Sequence, residues 1–418
     1  MRLIICLFLI ISFSLESKNP VKERARLSSV QIIDRNGFSE NITIKEKLEG
    51  FENVNFLSSQ PYKRVLRVYQ PDREGSIRSF LTTYFENGQV KQYLEIKNAR
   101  AYGLYQEWYA NGQVKVKTHV IGGPPDLSPL AESQWVFEGL SLAYDEEGHQ
   151  IAKISYKKGA LEGIAETYSS TGVVLSKTPY KNGVIEGSEL LYSPSGVLLE
   201  KHQYKGGVLD GPSETYWDAE KIATVEAYKN GMLAHGVSFS KEGSIVHFVN
   251  EGEGSRLYVV LAHLKQEQEI HDGEIRGKVI ALDESGRTTS IFHVRHGEKH
   301  GLETLYYLNG KEKIAMEWIE GNIQGQVTTW YPNGIKESER EVIKNKKQGL
   351  ALAWYPTGDL LLIESYNNDL LDKGEYFKKG ERSPISSIKQ GNGLATLFDK
   401  DGLLRQKVTY ESGKPIIQ

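Results

Sequence analysis

Cysteine is almost missing from this 418-residue chain, with Cys6 the only one. It sits in an apolar run, Leu3 to Phe13, that follows Arg2. Ser12, Ser14 and Ser17 offer small residues for cleavage before the polar segment from Lys18. That pattern is a secretory signal, expected over residues 1–17. Its removal leaves no thiol, and so no disulfide, thiolate metal site or cysteine nucleophile. The run is short for a bilayer span, and no later stretch is long and apolar enough to cross one. A basic excess is absent too. Net charge is −3 and the pI is near 6.4, so nucleic acid is not an expected partner. Lys344, Lys346 and Lys347 in one turn are too few for polybasic attraction to a membrane surface. Hydrophobic residues make up 39%, which fits a thin sheet better than a thick aliphatic core.

Recognisable catalytic motifs are also lacking. There is no Walker loop, no G-x-S-x-G elbow and no dinucleotide fingerprint, so neither an enzyme nor a cofactor is expected. His293, His296 and His300 form the one cluster with metal-like spacing. Two of them fall at turn positions, and no H-E-x-x-H accompanies them, so no metal is expected. Asp399-Lys400-Asp401-Gly402 is similar to part of a calcium loop but lacks the later ligands, and reads as an ordinary turn.

What is present in quantity is glycine (41) and tyrosine (23), and they recur in order. Trp330-Tyr331-Pro332-Asn333-Gly334 is the clearest phrase, with Asn and Gly suited to the positive φ of a tight reversal. It returns as Tyr84-Phe85-Glu86-Asn87-Gly88, Trp108-Tyr109-Ala110-Asn111-Gly112, Tyr306-Tyr307-Leu308-Asn309-Gly310 and Trp354-Tyr355-Pro356-Thr357-Gly358. An opening glycine leads each unit, an aromatic stands at position 6, a turn glycine at 10, a second aromatic at 18 and a second turn glycine at 21. Gly139, Gly163, Gly187 and Gly211 open units 24 residues apart, as do Gly277, Gly301, Gly325 and Gly349. Turns this close leave room for two extended arms and not for an ordinary helix.

The fold class expected is all-β: an elongated, single-layer antiparallel meander of tandem β-hairpins. Two strands per repeat advance the sheet roughly 10 Å, giving an array on the order of 120 Å. Residues 18–78 read as a β-rich cap or divergent repeats, and 79–418 as the array. A loop insertion falls near 121–135, and irregular units fall near 236–276 and 374–392. In the first of these, Glu253 stands where the next opening glycine belongs. Leu257 to Ile270 lacks the central glycine and has room for some helix, although Leu257 to Leu261 favours strand.

From about Ser79 the chain resembles the MORN-repeat variant of bacterial proteins, many of which carry an antitoxin-like label; Gly301 to Tyr355 fits best. The resemblance implies a twisted sheet of hairpins and scaffold duty, with lipid contact proposed for such proteins. It brings no catalytic residues.

Two rows are candidates for a binding surface. Neighbours on a strand face opposite sides, so the second aromatics (Tyr109, Trp217, Tyr307, Tyr331 and Tyr355) are expected to form an exposed stripe. Before the opening glycines runs an acidic row, Glu138, Glu162, Glu186 and Asp210, suited to steering a basic partner. Later units place Arg276, His300, Gln324 and Gln348 there. The function expected is an exported, non-enzymatic scaffold for another protein in the periplasm, at the envelope or outside the cell. The alternatives are an antitoxin or immunity-like neutralising partner, and a membrane-surface scaffold.

Overall fold

The computed structural model describes residues 27–60, 63–71 and 75–416. The expected signal and Cys6 lie outside the described residues. Nearly all of the described chain is antiparallel strand, as the repeat period predicts, and it divides into two compact units, up to Gly148 and from His149.

The first unit begins with a hairpin of Ser29–Asp34 and Ser39–Ile42. Asp34 makes the turn by accepting the N–H groups of Asn36 and Phe38, both at 2.9 Å. Ser29–Asp34 also pairs with Lys63–Pro71, which pairs onward through Ile77–Tyr84, Val90–Lys97, Arg100–Trp108, Val114–Gly122 and Val136–Tyr144. One face is covered. The short helix Lys45–Glu49 buries Leu48 against Val30, Leu66, Val68 and Tyr84. The insertion after Gly122 folds back through the helix Pro129–Glu132 and buries Trp135 on Leu94, Tyr105 and Val120. The indole N–H of Trp135 donates to Pro124 at 2.9 Å, so its polar end is satisfied inside the lid it anchors.

In the second unit successive strands pair antiparallel from Gln150–Lys157 to Lys414–Pro415. Leu257 to Ile270 is strand on both sides of a tight turn at Leu261 and Ala262. The two kinds of turn divide the chemistry. At the first, Gly172 sits at φ +81° and the ladder shifts by one residue, a type I turn with a glycine bulge. The asparagines of the Asn-Gly phrase are not among the positive-φ residues, against expectation. Asn333 instead caps its own turn, accepting from Ile335 N–H at 3.0 Å, and donates to Pro356 of the next repeat at 3.1 Å. The second turn is the two-residue type I′ form, as at Asn182-Gly183, φ +51° and +83°. Its N–H reaches back one repeat: Gly207 to Ile185 at 3.0 Å, Gly231 to Leu209 at 2.7 Å.

Two hairpins break this regularity in the same way. Gly236 and Gly254 stand 18 residues apart and Gly374 and Gly393 stand 19 apart, so the opener after the first short unit is Gly254 and Glu253 keeps the position before it. The short hairpin falls back from the edge, and its neighbours close over it. Gly252 N–H donates to Ala234, Gly273 N–H to Gly252 and Leu233 N–H to Gly273. At the second site Gly391 donates to Asp372, Gly413 to Gly391 and Leu371 to Gly413. Each closure carries the following strand over the face of the strands before it.

Candidate functional site

The second aromatics are not the exposed stripe expected of them. Tyr355 and Tyr331 are buried, and Tyr109, Trp217 and Tyr307 are half-buried. Each reaches along the edge to the next repeat. The hydroxyl of Tyr307 donates to Trp330 at 2.7 Å, that of Tyr331 to Trp354 at 2.8 Å and that of Tyr355 to Phe377 at 2.9 Å. Tyr109 donates to Tyr144 at 3.0 Å, and the Trp217 indole to Phe239 at 3.0 Å. Lysine ammoniums lie over the rings of Tyr109, Trp217 and Tyr307. Strand alternation would turn these rings outward only on a flat strand. The glycine bulge after position 6 turns the next ring along the edge instead.

The acidic row has a structural duty as well. Glu162 accepts Asn182 N–H at 2.9 Å, Glu186 accepts Gly206 N–H at 2.6 Å and Asp210 accepts Asn230 N–H at 3.0 Å. Each carboxylate thus caps the type I′ turn of the following unit. Gln348 does the same without charge, accepting Asn368 N–H at 2.9 Å. Glu138 lies in Val136–Tyr144 opposite His119. The ring nitrogens of His293, His296 and His300 do not all come within 4.8 Å of one another; His296 occupies a type I′ turn at φ +51°.

The chemistry that the motifs did not reveal lies under the first closure. Ser213 stands opposite both His202 and Glu226, and Thr215 opposite both Glu200 and Thr224. Residues two apart share a face, so all six side chains form one patch. Strand Glu253–Val260 crosses above it. Arg256 meets both oxygens of Glu226 at 3.5 Å, donates to the Tyr228 oxygen at 2.5 Å and to Gln268 at 2.9 Å. Tyr228 donates onward to Glu226 at 2.8 Å. Burial, followed by the Glu226 charge, pushes the Tyr228 hydroxyl well above its ordinary range. Burial acts to lower the Arg256 guanidinium, but Glu226 and Tyr228 outweigh it and hold it above its usual value. Two cavities flank the pair, of about 280 and 850 Å³, with Leu209, Tyr228 and Arg256 in both walls.

Sequence reasoning passed over these residues because no motif joins them. Glu200 and His202 come from one repeat, Ser213 from the next and Arg256 from two further on. The available signal was departure from the period. Where Ser213 stands, the units opened by Gly163 and Gly349 carry Ala165 and Ala351, and where His202 stands the unit opened by Gly301 carries Met316.

Stacked type I′ turns, edge-binding aromatics and bulged openers define a class of protein, the tandem β-hairpin array. Within that class, residues 101–121 and 161–182 match the family model described as MORN repeat variant, so these two stretches are similar to MORN-variant repeats. No curated protein matches the chain.

Proposed function

We propose that the protein is an exported repeat scaffold that holds a protein partner on the open face of its sheet. The repeat matches and the open antiparallel sheet support a scaffold. The apolar run after Arg2 supports export. The observation that carries the binding surface is a groove of about 670 Å³ lined by Leu350, Ile363, Lys373, Glu375 and Lys389. Leu350 is 55% exposed although it lies within a strand, a costly place for a leucine that nothing covers. An apolar floor within a charged rim is the anatomy of a protein-binding patch. Leu302 and Leu394, each also following an opening glycine, are exposed on the same face.

A photocrosslinker at Lys389 should capture one partner from the native host, and Leu350→Glu should abolish capture while leaving the circular dichroism unchanged. Equal capture from a crosslinker at Lys205, or capture indifferent to Leu350→Glu, would refute the groove as the docking site.

A further inference from the structure

Ser213, His202 and Glu200 stand in line. The Ser213 hydroxyl lies 2.7 Å from His202 Nδ1, and His202 Nε2 lies 2.9 Å from Glu200 Oε2. A carboxylate only accepts, so Nε2 carries the ring proton and Nδ1 is left to accept from Ser213. The other oxygen of Glu200 takes the N–H of Leu261, at the tip of the hairpin that closes over the patch. The acid is therefore held at both oxygens, and the closure itself orients it. Ser213 is 2% exposed, yet it lines the smaller cavity together with His202, Thr215 and Arg256.

We propose that this trio is a nucleophilic serine site that hydrolyses small activated esters, an activity distinct from partner binding on the opposite face. A serine hydroxyl is a weak nucleophile until a base takes its proton, and a base turns efficient when a third group fixes its tautomer. Here the Ser213 oxygen attacks the ester carbonyl carbon while its proton passes to His202 Nδ1. The tetrahedral adduct collapses, the bond to the leaving oxygen breaks, and that oxygen takes the proton from His202. Water then adds to the acyl carbon, gives a proton to His202 and releases the acid; Ser213 recovers its proton. One ester and one water give one acid and one alcohol. Glu200 acts as the positioning residue, accepting Nε2–H and opposing the imidazolium charge formed at each transfer. Arg256, although paired with Glu226, puts a cation in the same cavity wall, where its field favours an oxyanion. A cavity of 280 Å³ suits an acyl group of a few carbons and excludes a polypeptide.

The test uses the full chain and two probes, a small alkyl fluorophosphonate and p-nitrophenyl acetate. Mass spectrometry should find one phosphonylated residue, Ser213. Ser213→Ala should remove the label and ester turnover, and His202→Gln should slow labelling by about 10²-fold or more. Glu200→Gln should lower kcat with KM little changed, because it alters the base and not the cavity. Ser188→Ala, an exposed strand serine, serves as the control and should label as the parent does. No label on Ser213 in folded protein, or labelling as fast in folded His202→Gln as in the parent, would overturn the proposal. Loss of the L350E-sensitive crosslink with the esterase intact would refute only the docking groove.

Discussion

The two closures of the second unit share a backbone and differ in what fills them. Counting from the opening glycines, Ser213 corresponds to Ala351, His202 to Arg340, Glu200 to Ser338, Thr224 to Leu362 and Arg256 to Ala395. Glu226 and Tyr228 recur as Glu364 and Tyr366. The second closure is mainly apolar, with Leu371, Tyr376, Ile388 and Ala395 all but inaccessible. Its one carboxylate is satisfied by two phenols, Tyr366 and Tyr376, each at 2.8 Å. The triangle of turn hydrogen bonds therefore needs no polar filling. Stability alone favours the second solution, since buried charge must be compensated and buried methyls need not be. What the first closure adds, an arginine, a histidine and a serine around a cavity, is not required by the fold it sits in.

Exchanging the fillings should break this comparison most severely. Ala395→Arg puts into the second closure the guanidinium that Arg256 supplies to the first, in a site where Glu364 already has two donors. Forcing a guanidinium into a filled apolar site, beside a carboxylate already engaged by two phenols, adds overpacking to charge burial and is expected to cost about 3 kcal/mol or more, read as a large fall in the urea midpoint. A midpoint within error of the parent would show that the site is wet and the contrast false. Leu371→Ala comes next. This side chain is 1% exposed, and emptying its place should cost about 2–5 kcal/mol. Leu233→Ala, its counterpart in the first closure at 2% exposed, should cost less. The neighbouring cavities let the site relax or admit water, and cavity cost falls as the site collapses.

How much of this was legible follows from the physics of repeats. The 24-residue period revealed the hairpins because turn glycines and paired aromatics are local requirements, met again in every unit. The rings of Tyr331 and Tyr355 leave the surface that alternation assigns them because alternation assumes an unbulged strand, whereas the register shifts just before Trp330 and Trp354, where the strand runs into its turn. The acidic row was visible as a row, but its partners, the N–H groups of Asn182, Gly206 and Asn230, lie about twenty residues away and appear only once hairpins stack. The trio of Ser213, His202 and Glu200 left still less trace. It depends on a crossing strand whose position is set by a hairpin six residues shorter than its neighbours.

Alkali should weaken both closures and tests whether their phenols are held alike. In the first, burial and then the Glu226 charge push Tyr228 well up, while burial and then Glu189 push Tyr204 up to about 12. In the second, burial and then Glu364 push Tyr366 and Tyr376 well up. A folded pKa above the unfolded value near 10 means that the folded state keeps the proton longer. For Tyr204 the stabilisation is complete below about pH 10 and is lost as pH rises through about 12. The urea midpoint should thus be flat from pH 8 to 9.5 and fall steadily above 10. Tyr366→Phe should flatten part of that fall, and an unchanged slope would show that Tyr366 ionises as freely folded as unfolded.

The smallest effect separates charge from shape along the edge ladder. Glu186 accepts a backbone N–H at 2.6 Å, and Gln348 fills the same position with a neutral amide at 2.9 Å. If the duty of the row is to cap the next turn, the oxygen matters and the charge does not. Glu186→Gln should then shift the urea midpoint by no more than a few tenths of a kcal/mol. Glu186→Ala, which leaves Gly206 N–H to water, should cost about 0.5–1.5 kcal/mol. The edge is solvent-exposed, so the alanine value should fall toward the lower end, and added salt should change neither. Should Glu186→Gln instead cost as much as the alanine, and the loss shrink in high salt, the row would be acting through its charge. Steering of a basic partner would then be the better account of why Glu162, Glu186 and Asp210 share a sign that Gln348 does without.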